Sequence, residues 1–277
     1  ELLGGKINIG GVAGDQQSAL IGQCCFDIGE VKSTYGTGCF MMINTGNEVL
    51  KSNNKLLSTI AYRLDGKTTY ALEGSIFVAG SAIQWLRDGL NFFDNASESE
   101  DLALQAKDNS RVLVIPALTG LGAPYWDADA RGAIVGLTSA HARSDITRAV
   151  LEGVAFSLRD AADAIGEIGL PMTDFTLAGG GARSLLWREI VAATFNSSMK
   201  IDPEGRGPAF GAALLAATAS GVFGSVAEAY QATETGRVMV EPDPTLTRVM
   251  ESNRSRYQEL YPALLRPNQK AAEVQLG

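Results

Sequence analysis

Short apolar runs separated by glycine turns fill the first 75 residues, and this pattern is typical of strands. Residues 6–13 form the first run and predict a strand, and the small residues 18–22 predict a short helix. Four further runs flank two turns: residues 31–35 and 39–44 around Gly36-Thr37-Gly38, and residues 57–64 and 68–72 around Asp65-Gly66. Because a glycine turn between two such runs signals a hairpin, we predict two β-hairpins.

Helical periodicity begins after the second hairpin. Apolar residues return at helical spacing across residues 76–90 and again across residues 144–165, where Ser144 is the predicted N-cap. The acidic and polar residues 94–109 predict a loop or an exposed helix. Two apolar runs predict strands, residues 111–116 and 132–137.

The last third of the chain alternates strands and helices. The predicted elements are, in order, a strand at residues 175–178, a helix at 185–194, a strand at 198–202 and a helix at 208–220. This alternation predicts parallel strands covered by helices, and hence an α/β fold. Residues 266–277 predict a tail, so the domain is expected to span residues 1–265.

Composition narrows the classes of function. The 277 residues carry a net charge of −8, which disfavours a protein that binds nucleic acid through its phosphates. No apolar run reaches the length of about 18 residues that a membrane-spanning helix needs. We therefore expect neither nucleic acid nor a membrane as a partner.

The cysteines, the histidine and the first residue add three expectations. Cys24, Cys25 and Cys39 form no CxxC pair, which fits a reducing, cytoplasmic compartment. A single histidine, His141, offers little material for a zinc site or a histidine-based triad, and we predict no metal-binding residues. The chain starts at Glu1, with a predicted strand already under way shortly after it, so we expect a fragment of a longer protein.

Asp15 is the first candidate for chemistry. It follows the first predicted strand, and ligands of open α/β sheets usually bind at the carboxyl ends of the strands. As a general base, Asp15 could accept a proton from a substrate hydroxyl. The same position also suits a helix cap or a turn residue. The adjacent Gln16 and Gln17 offer neutral hydrogen-bonding groups that suit a polyol.

Two glycine turns are candidates for phosphate binding. In Gly36-Thr37-Gly38, the glycines allow the backbone to approach an anion closely, and the Thr37 hydroxyl is a further donor. An ordinary tight turn is the alternative. Residues 179–184 (GGGARS) place backbone amides at the start of a predicted helix, which favours an anion. This sequence is neither a Walker A loop nor GxGxxG, and a structural strand-to-helix turn is the alternative.

Four segments taken together closely resemble the C-terminal half of glycerol kinases. They are GVAGDQQ (residues 11–17), TYGTGCF (34–40), YALEGSIFVAG (70–80) and TGLGAPYWD (119–127). Residues 132–153 are similar to a signature of the wider FGGY family of carbohydrate kinases. The resemblance covers most of the chain.

This resemblance implies a fold and a set of roles. The fold is an α/β, actin-like ATPase domain of the ribonuclease H-like class, with a mixed sheet and flanking helices. The activity is transfer of a phosphoryl group from ATP, with Mg²⁺, to a polyol such as glycerol. Asp15 matches the catalytic base, and Asp15, Gln16 and Phe40 match substrate contacts. The residues predicted to bind the nucleotide are Gly36, Thr37, Gly80, Gln84, Gly180, Gly181 and Ser184.

The sequence departs from glycerol kinases in one region. Residues 180–187 lack the two asparagines that glycerol kinases usually carry there and, with residues 207–213, look more like xylulokinases of the same family. We predict a glycerol kinase, with a xylulokinase or another polyol kinase as one alternative and a non-catalytic nucleotide- or partner-binding domain as another. The chain is expected to fold but to need an N-terminal kinase domain for turnover, and a homo-oligomer is expected.

Overall fold

The computed structural model describes residues 5–107, 111–202, 207–234 and 236–275, with the backbone alone for residues 271–275. The strands are β1 (Glu30–Tyr35), β2 (Cys39–Gly46), β3 (Leu57–Leu64), β4 (Lys67–Ile76), β5 (Leu113–Ile115), β6 (Ala133–Val135), β7 (Asp174–Gly179), β8 (Met199–Ile201) and β9 (Val238–Val240). The helices are α1 (Asp15–Gly22), α2 (Gly80–Asp88), α3 (Glu98–Ala103), α4 (Arg143–Gly166), α5 (Leu185–Phe195), α6 (Pro208–Ala219), α7 (Val226–Thr233) and α8 (Pro244–Gln275). A 3-10 turn, Gly180–Arg183, links β7 to α5.

The main sheet of the described chain has seven strands in the order β3-β4-β2-β1-β7-β8-β9. The two predicted hairpins, β1–β2 and β3–β4, are antiparallel, and β2 joins β4. β1 runs parallel to β7, and β7 runs parallel to β8. The α5 crossover between β7 and β8 confirms the strand and helix alternation predicted for this region. β9 closes one edge antiparallel to β8, and β5 and β6 form a separate antiparallel pair.

Helices cover both faces of the main sheet, so its central strands are buried on both sides. In β2, Met41 and Ile43 belong to the larger core, which includes much of α4. Met42 lies between them and packs with Leu20 of α1 in a second cluster. All four side chains are fully buried, because successive strand residues alternate between two covered faces. Burial on both faces therefore fixes the central strands and the turns at their ends.

Residues 6–13 do not form the predicted strand. Their backbone pairs with no other strand in the described chain, and Ile9 and Val12 are 83% and 89% exposed. Gly11 lies instead against α6, where a Cβ on this glycine would be 2.7 Å from the Cβ of Leu215. An apolar run becomes a strand only when another strand satisfies its backbone groups. No described strand does so here.

The helix predicted from residue 76 begins later. Ile76 is the last residue of β4 and still pairs with Cys39, so α2 starts at Gly80. The acidic stretch predicted as a loop or an exposed helix contains α3, and its residues 108 and 109 lie outside the described chain. Strand pairing with β2 extended β4 into a region whose apolar spacing had favoured a helix.

The N-cap of the long helix lies two residues earlier than predicted. Its N-cap is Ala142, and Ser144 lies inside the first turn. The Asp145 carboxylate accepts a hydrogen bond from the Ala142 N–H at 2.9 Å. A carboxylate at this position satisfies a backbone donor that the helix cannot pair, so the prediction of Ser144 as the cap was wrong.

Residues 266–275 are helical, whereas the sequence predicted a tail here. The sequence pattern missed α7, β9 and α8, and α8 continues through residues 266–275 to Gln275. Met250 and Tyr257 of α8 are buried in the larger core, and Tyr257 lies 5.2 Å from Phe156 of α4, centroid to centroid. Packing on α4 thus anchors this helix, which the prediction did not include.

Candidate functional site

The turn Gly36-Thr37-Gly38 is fixed against the start of α2. The Gly80 N–H donates to the Gly36 carbonyl oxygen at 3.0 Å, and the N–H groups of Ala79 and Ser81 both donate to the Thr37 carbonyl at 3.0 Å. A Cβ on Gly80 would lie 2.5 Å from the Gly36 oxygen, so the approach requires glycine. Backbone contacts therefore hold the turn, while Gly36 and Thr37 remain exposed.

The second glycine turn lies beside the first. Tyr35 of β1 pairs with Gly179 of β7 at the ends of two parallel strands. Gly179 has a φ of +90°, and a Cβ there would overlap the Tyr35 carbonyl oxygen, so only glycine fits. The topology thus brings both glycine turns to one end of the main sheet.

A cavity of about 590 Å³ opens between these turns and helices α2, α3 and α5. It is of a size that holds small-molecule ligands. Six residues predicted to bind the nucleotide line it: Gly36, Gly80, Gln84, Gly180, Gly181 and Ser184. The other lining residues are Tyr35, Ala79, Ile83, Arg87, Ala96, Ser97, Ser99, Glu100, Leu151, Val154, Arg183 and Trp187. Thr37, also predicted to bind the nucleotide, is not in the lining.

Two cavity glycines leave room that no protein atom fills. A Cβ on Gly180 would meet nothing within 4 Å, and one on Gly36 would find its nearest neighbour at 4.0 Å. Neighbouring protein atoms therefore do not explain the absence of side chains at these two positions. Bare backbone in a cavity wall allows amide groups to reach a phosphate.

The start of α5 closes one side of the cavity. Ser184 Oγ accepts a hydrogen bond from the Trp187 N–H at 3.1 Å, so Ser184 is also the cap of α5. Glu100 Oε1 of α3 accepts from the Leu186 N–H at 3.0 Å. Trp187 is 4% exposed, and its indole N–H has no partner among the described residues. A buried donor without a partner in a cavity wall suits a ligand that offers an acceptor.

Asp15 and Gln16 begin α1 on another side of the hairpin. The exposed Asp15 accepts a hydrogen bond at Oδ1 from the Gln16 N–H at 2.7 Å. Gln16 Oε1 accepts in turn from the ammonium of Lys32. The same ammonium lies 3.4 Å from the Phe40 carbonyl oxygen. Lys32 thereby connects Gln16 and Phe40, and the three residues predicted to bind substrate lie together.

Burial shifts the ionisation of two groups beneath this cluster. Lys32 is fully buried, and burial lowers its pKa to about 8. Burial also raises the pKa of the Cys39 thiol to about 11, so this cysteine is a neutral neighbour. The ammonium of Lys32 is therefore the main buried charge close to the predicted substrate residues.

The β1–β2 hairpin joins the two parts of the site. Tyr35 and Gly36 line the cavity, and Phe40 lies with Asp15 and Gln16. The hairpin therefore connects the cavity with the cluster that contains Asp15, Gln16 and Phe40. This arrangement suits transfer of a phosphoryl group to a hydroxyl that Asp15 deprotonates.

Sequence reasoning missed the cavity wall from α3 and the role of Lys32. Ser97, Ser99 and Glu100 belong to an acidic stretch with no chemical motif, and only packing against α4 and α5 brings them to the cavity. Arg183 and Trp187 also line the cavity, and their positions on either side of the predicted start of α5 could have indicated it.

Among the described residues, no three His, Cys, Asp or Glu side chains are grouped so that they could hold a metal ion. Within the same part of the chain, no helix combines the length and apolar character needed to cross a membrane.

Comparison with known proteins identifies the family. The model of the C-terminal domain of the FGGY family of carbohydrate kinases matches residues 31–220. A glycerol kinase of Alteromonas mediterranea is 50% identical over 226 residues, which are 82% of this chain and 46% of that protein. The chain thus spans about half the length of the curated relatives it matches.

Solved structures agree with this match. The crystal structure of Plasmodium falciparum glycerol kinase with ADP is 35% identical, with a TM-score of 0.79 over 90% of this chain and 50% of that chain. A xyloylose kinase from Brucella ovis is 30% identical, with a TM-score of 0.82 over 92% and 51%. They confirm the mixed α/β fold of the actin-like ATPase class. Because the family match covers more than half of its length, the chain belongs to the FGGY family of carbohydrate kinases and corresponds to their C-terminal domain.

Proposed function

We propose that this chain supplies the nucleotide site and the general base of a kinase that phosphorylates glycerol with ATP. The observation that carries the proposal is the turn Gly36-Thr37-Gly38, which borders the glycine-lined cavity and leads into Phe40, close to Asp15 and Gln16. The relatives named glycerol kinase, one of them solved with ADP, support it.

In the proposed reaction, Asp15 accepts the proton of a glycerol hydroxyl whose oxygen attacks the γ-phosphorus, and the bond from that phosphorus to the bridging oxygen breaks to leave ADP. Bound ATP supplies the phosphoryl group, and Mg²⁺ bound with its phosphates would neutralise part of their charge. The backbone at Gly36 and Gly180 positions the phosphates, and the start of α5 adds a favourable dipole. Positioning and charge stabilisation account for most of such a rate enhancement.

Gly180→Val is expected to weaken nucleotide binding at least about tenfold, which corresponds to about 1.4 kcal/mol. The new side chain would enter cavity space that is free of protein atoms, so the variant should fold while excluding the ligand. Titration of ADP into the chain by calorimetry gives the Kd. Gly181 is a less clean test, because its Cβ would lie 3.1 Å from Tyr35 Cβ.

Gly166→Val is the matched control for this test. A Cβ on Gly166 also meets nothing within 4 Å, and this residue ends α4 outside the cavity lining. The control should bind ADP as the unsubstituted chain does. An unchanged Kd in a folded Gly180→Val chain would assign the glycine turn to packing alone.

The substrate is tested in what we call the completed enzyme, in which this chain is joined to the predicted N-terminal half of its own protein. We expect it to prefer glycerol over xylulose by at least roughly tenfold in kcat/KM. The cavity is lined by the residues that look like xylulokinases, which are Gly181, Arg183, Ser184 and Trp187. Gln16 and Phe40 follow the glycerol kinase pattern, and they lie with Asp15. The xylulokinase-like residues should therefore change ATP binding more than they change the preference between the two alcohols.

Competition kinetics with both substrates at limiting ATP measure this preference. Faster use of xylulose would favour the alternative kinase, whose fold the Brucella ovis structure shares. Nucleotide binding without turnover would favour a non-catalytic domain. A cytoplasmic location, a homo-oligomer and an N-terminal partner domain accompany the proposal as predictions.

A further inference from the structure

Lys32 is a charged residue in the middle of the main sheet. It pairs with Met42 of β2 on one side and with Thr176 of β7 on the other. Its side chain is fully buried, and among the described residues it forms no ion pair within 4.0 Å. A buried ammonium without a carboxylate partner is costly. The neutral groups that accept hydrogen bonds from Lys32 therefore indicate the role of this buried charge.

The partners of Lys32 belong to the predicted substrate site. Its ammonium donates to Gln16 Oε1 and lies 3.4 Å from both Thr34 Oγ1 and the Phe40 carbonyl oxygen. These contacts tie the first turn of α1 to β1 and β2. Gln16 is bonded through its backbone N–H to Asp15. Lys32 thus contacts Gln16, the neighbour of the predicted base Asp15, and it is too deeply buried to touch a substrate.

The chemistry of the ammonium fixes the orientation of the Gln16 amide. An ammonium has three donors and no acceptor, whereas a glutamine amide has an oxygen at one end and an NH₂ group at the other. Only the oxygen of Gln16 can accept from Lys32. The NH₂ end is consequently turned away from Lys32, and it makes no hydrogen bond with another described residue.

We propose that Lys32 is a positioning residue that presents the NH₂ group of Gln16 to the polyol, as a donor to a hydroxyl oxygen beside Asp15. The inference rests on the proposed function, since it places the polyol at Gln16. A hydroxyl that accepts from Gln16 keeps its own proton available for Asp15. Without the ammonium, the amide can rotate and offer its oxygen, which would compete with Asp15 for that proton.

The charge of Lys32 can be removed within the ordinary range of assay pH. Its pKa is about 8 because burial disfavours the ammonium. Two carboxylates on neighbouring elements act in the opposite direction, Glu73 of β4 and Asp15 of α1. The neighbouring thiols of Cys39 and Cys25 are neutral in this range, because burial raises the pKa of both. Since the ammonium exists below this pKa, the orientation of Gln16 should be held below about pH 8 and lost above it.

Kinetics of the completed enzyme provide the first test. Lys32→Met keeps the apolar length of the side chain but not the ammonium, and it should raise the KM for glycerol about tenfold while leaving the KM for ATP unchanged. In a Gln16→Ala background, Lys32→Met should have no further effect. Lys200→Met removes another strand lysine, paired with Asp174, and is the control. An unchanged glycerol KM, or full additivity with Gln16→Ala, would overturn the proposal.

Nuclear magnetic resonance of the unsubstituted chain provides a test without turnover. The side-chain NH₂ signals of Gln16 should shift with a midpoint near pH 8, and those of Gln17, which donates to Thr59 Oγ1 at 3.4 Å, should not follow. A flat Gln16 titration overturns the inference whatever the enzyme phosphorylates. A Gln16 midpoint near pH 8 in a protein whose completed enzyme does not use glycerol would support the positioning role and reject the proposed function alone.

Discussion

Asp15→Asn is expected to lower the turnover of the completed enzyme by roughly 10²–10⁴-fold, the usual contribution of a positioned general base. Asparagine has the same shape and can still accept the Gln16 N–H at its oxygen, so the start of α1 should persist. It cannot accept the proton of the attacking hydroxyl. Steady-state kinetics with glycerol measure the loss, and the Kd for ADP should stay within about twofold.

Asp65→Asn is the matched control for Asp15→Asn. Asp65 lies in the β3–β4 turn with a φ of +49°, a conformation that asparagine adopts readily. This variant removes one exposed carboxylate outside the site and should keep normal turnover. If Asp15→Asn also keeps near-normal turnover, Asp15 is a structural turn residue and the proposed mechanism is wrong.

Gly211→Val is expected to lower the free energy of unfolding by about 3 kcal/mol, the upper part of the usual range for overpacking. Gly211 of α6 faces α1, and a Cβ there would overlap the Ser18 carbonyl oxygen. Gly22 of α1 makes the same close approach from the other side, since its Cβ would lie 3.1 Å from the Gly211 nitrogen. The backbone cannot yield as a side chain does, so α1 must move. Urea denaturation with linear extrapolation measures the effect.

Ala213→Val separates this clash from the cost of valine in a helix. Ala213 is exposed on the same helix and should lose only a few tenths of a kcal/mol to helix propensity. Because α1 begins at Asp15, displacement of α1 should also reduce turnover of the completed enzyme for Gly211→Val. Equal losses of stability for the two variants would show that α1 and α6 are not packed as described.

Local turn chemistry explains why the hairpins were predictable. In the β3–β4 turn, Asp65 and Gly66 both have positive φ values, +49° and +79°, which a two-residue hairpin turn requires. The helix predicted at residues 185–194 exists as α5 because its apolar spacing agrees with burial of Leu186, Ile190 and Val191. In both cases, residues within one element determine its conformation.

Most of the mispredicted elements depend on distant partners. Residues 6–13 have the apolar character of a strand, but the described chain offers no strand beside them. Ile76 has helical spacing, yet its pairing with Cys39 keeps it in β4. Residues 266–275 show no clear apolar periodicity, and the earlier turns of α8 pack on α5, β5 and α4.

The sequence by itself determined the turns and the strand and helix alternation of the last third. It also determined the motifs at Gly36-Thr37-Gly38 and at residues 179–184, which lie within the match to the FGGY family. Only the tertiary structure decided that the two glycine turns share a cavity with α3, and that Lys32 holds Gln16 across 16 positions of the chain. Turn and helix preferences are properties of a few neighbouring residues. Cavities and buried hydrogen bonds arise where separate elements meet, and their partners are set by packing.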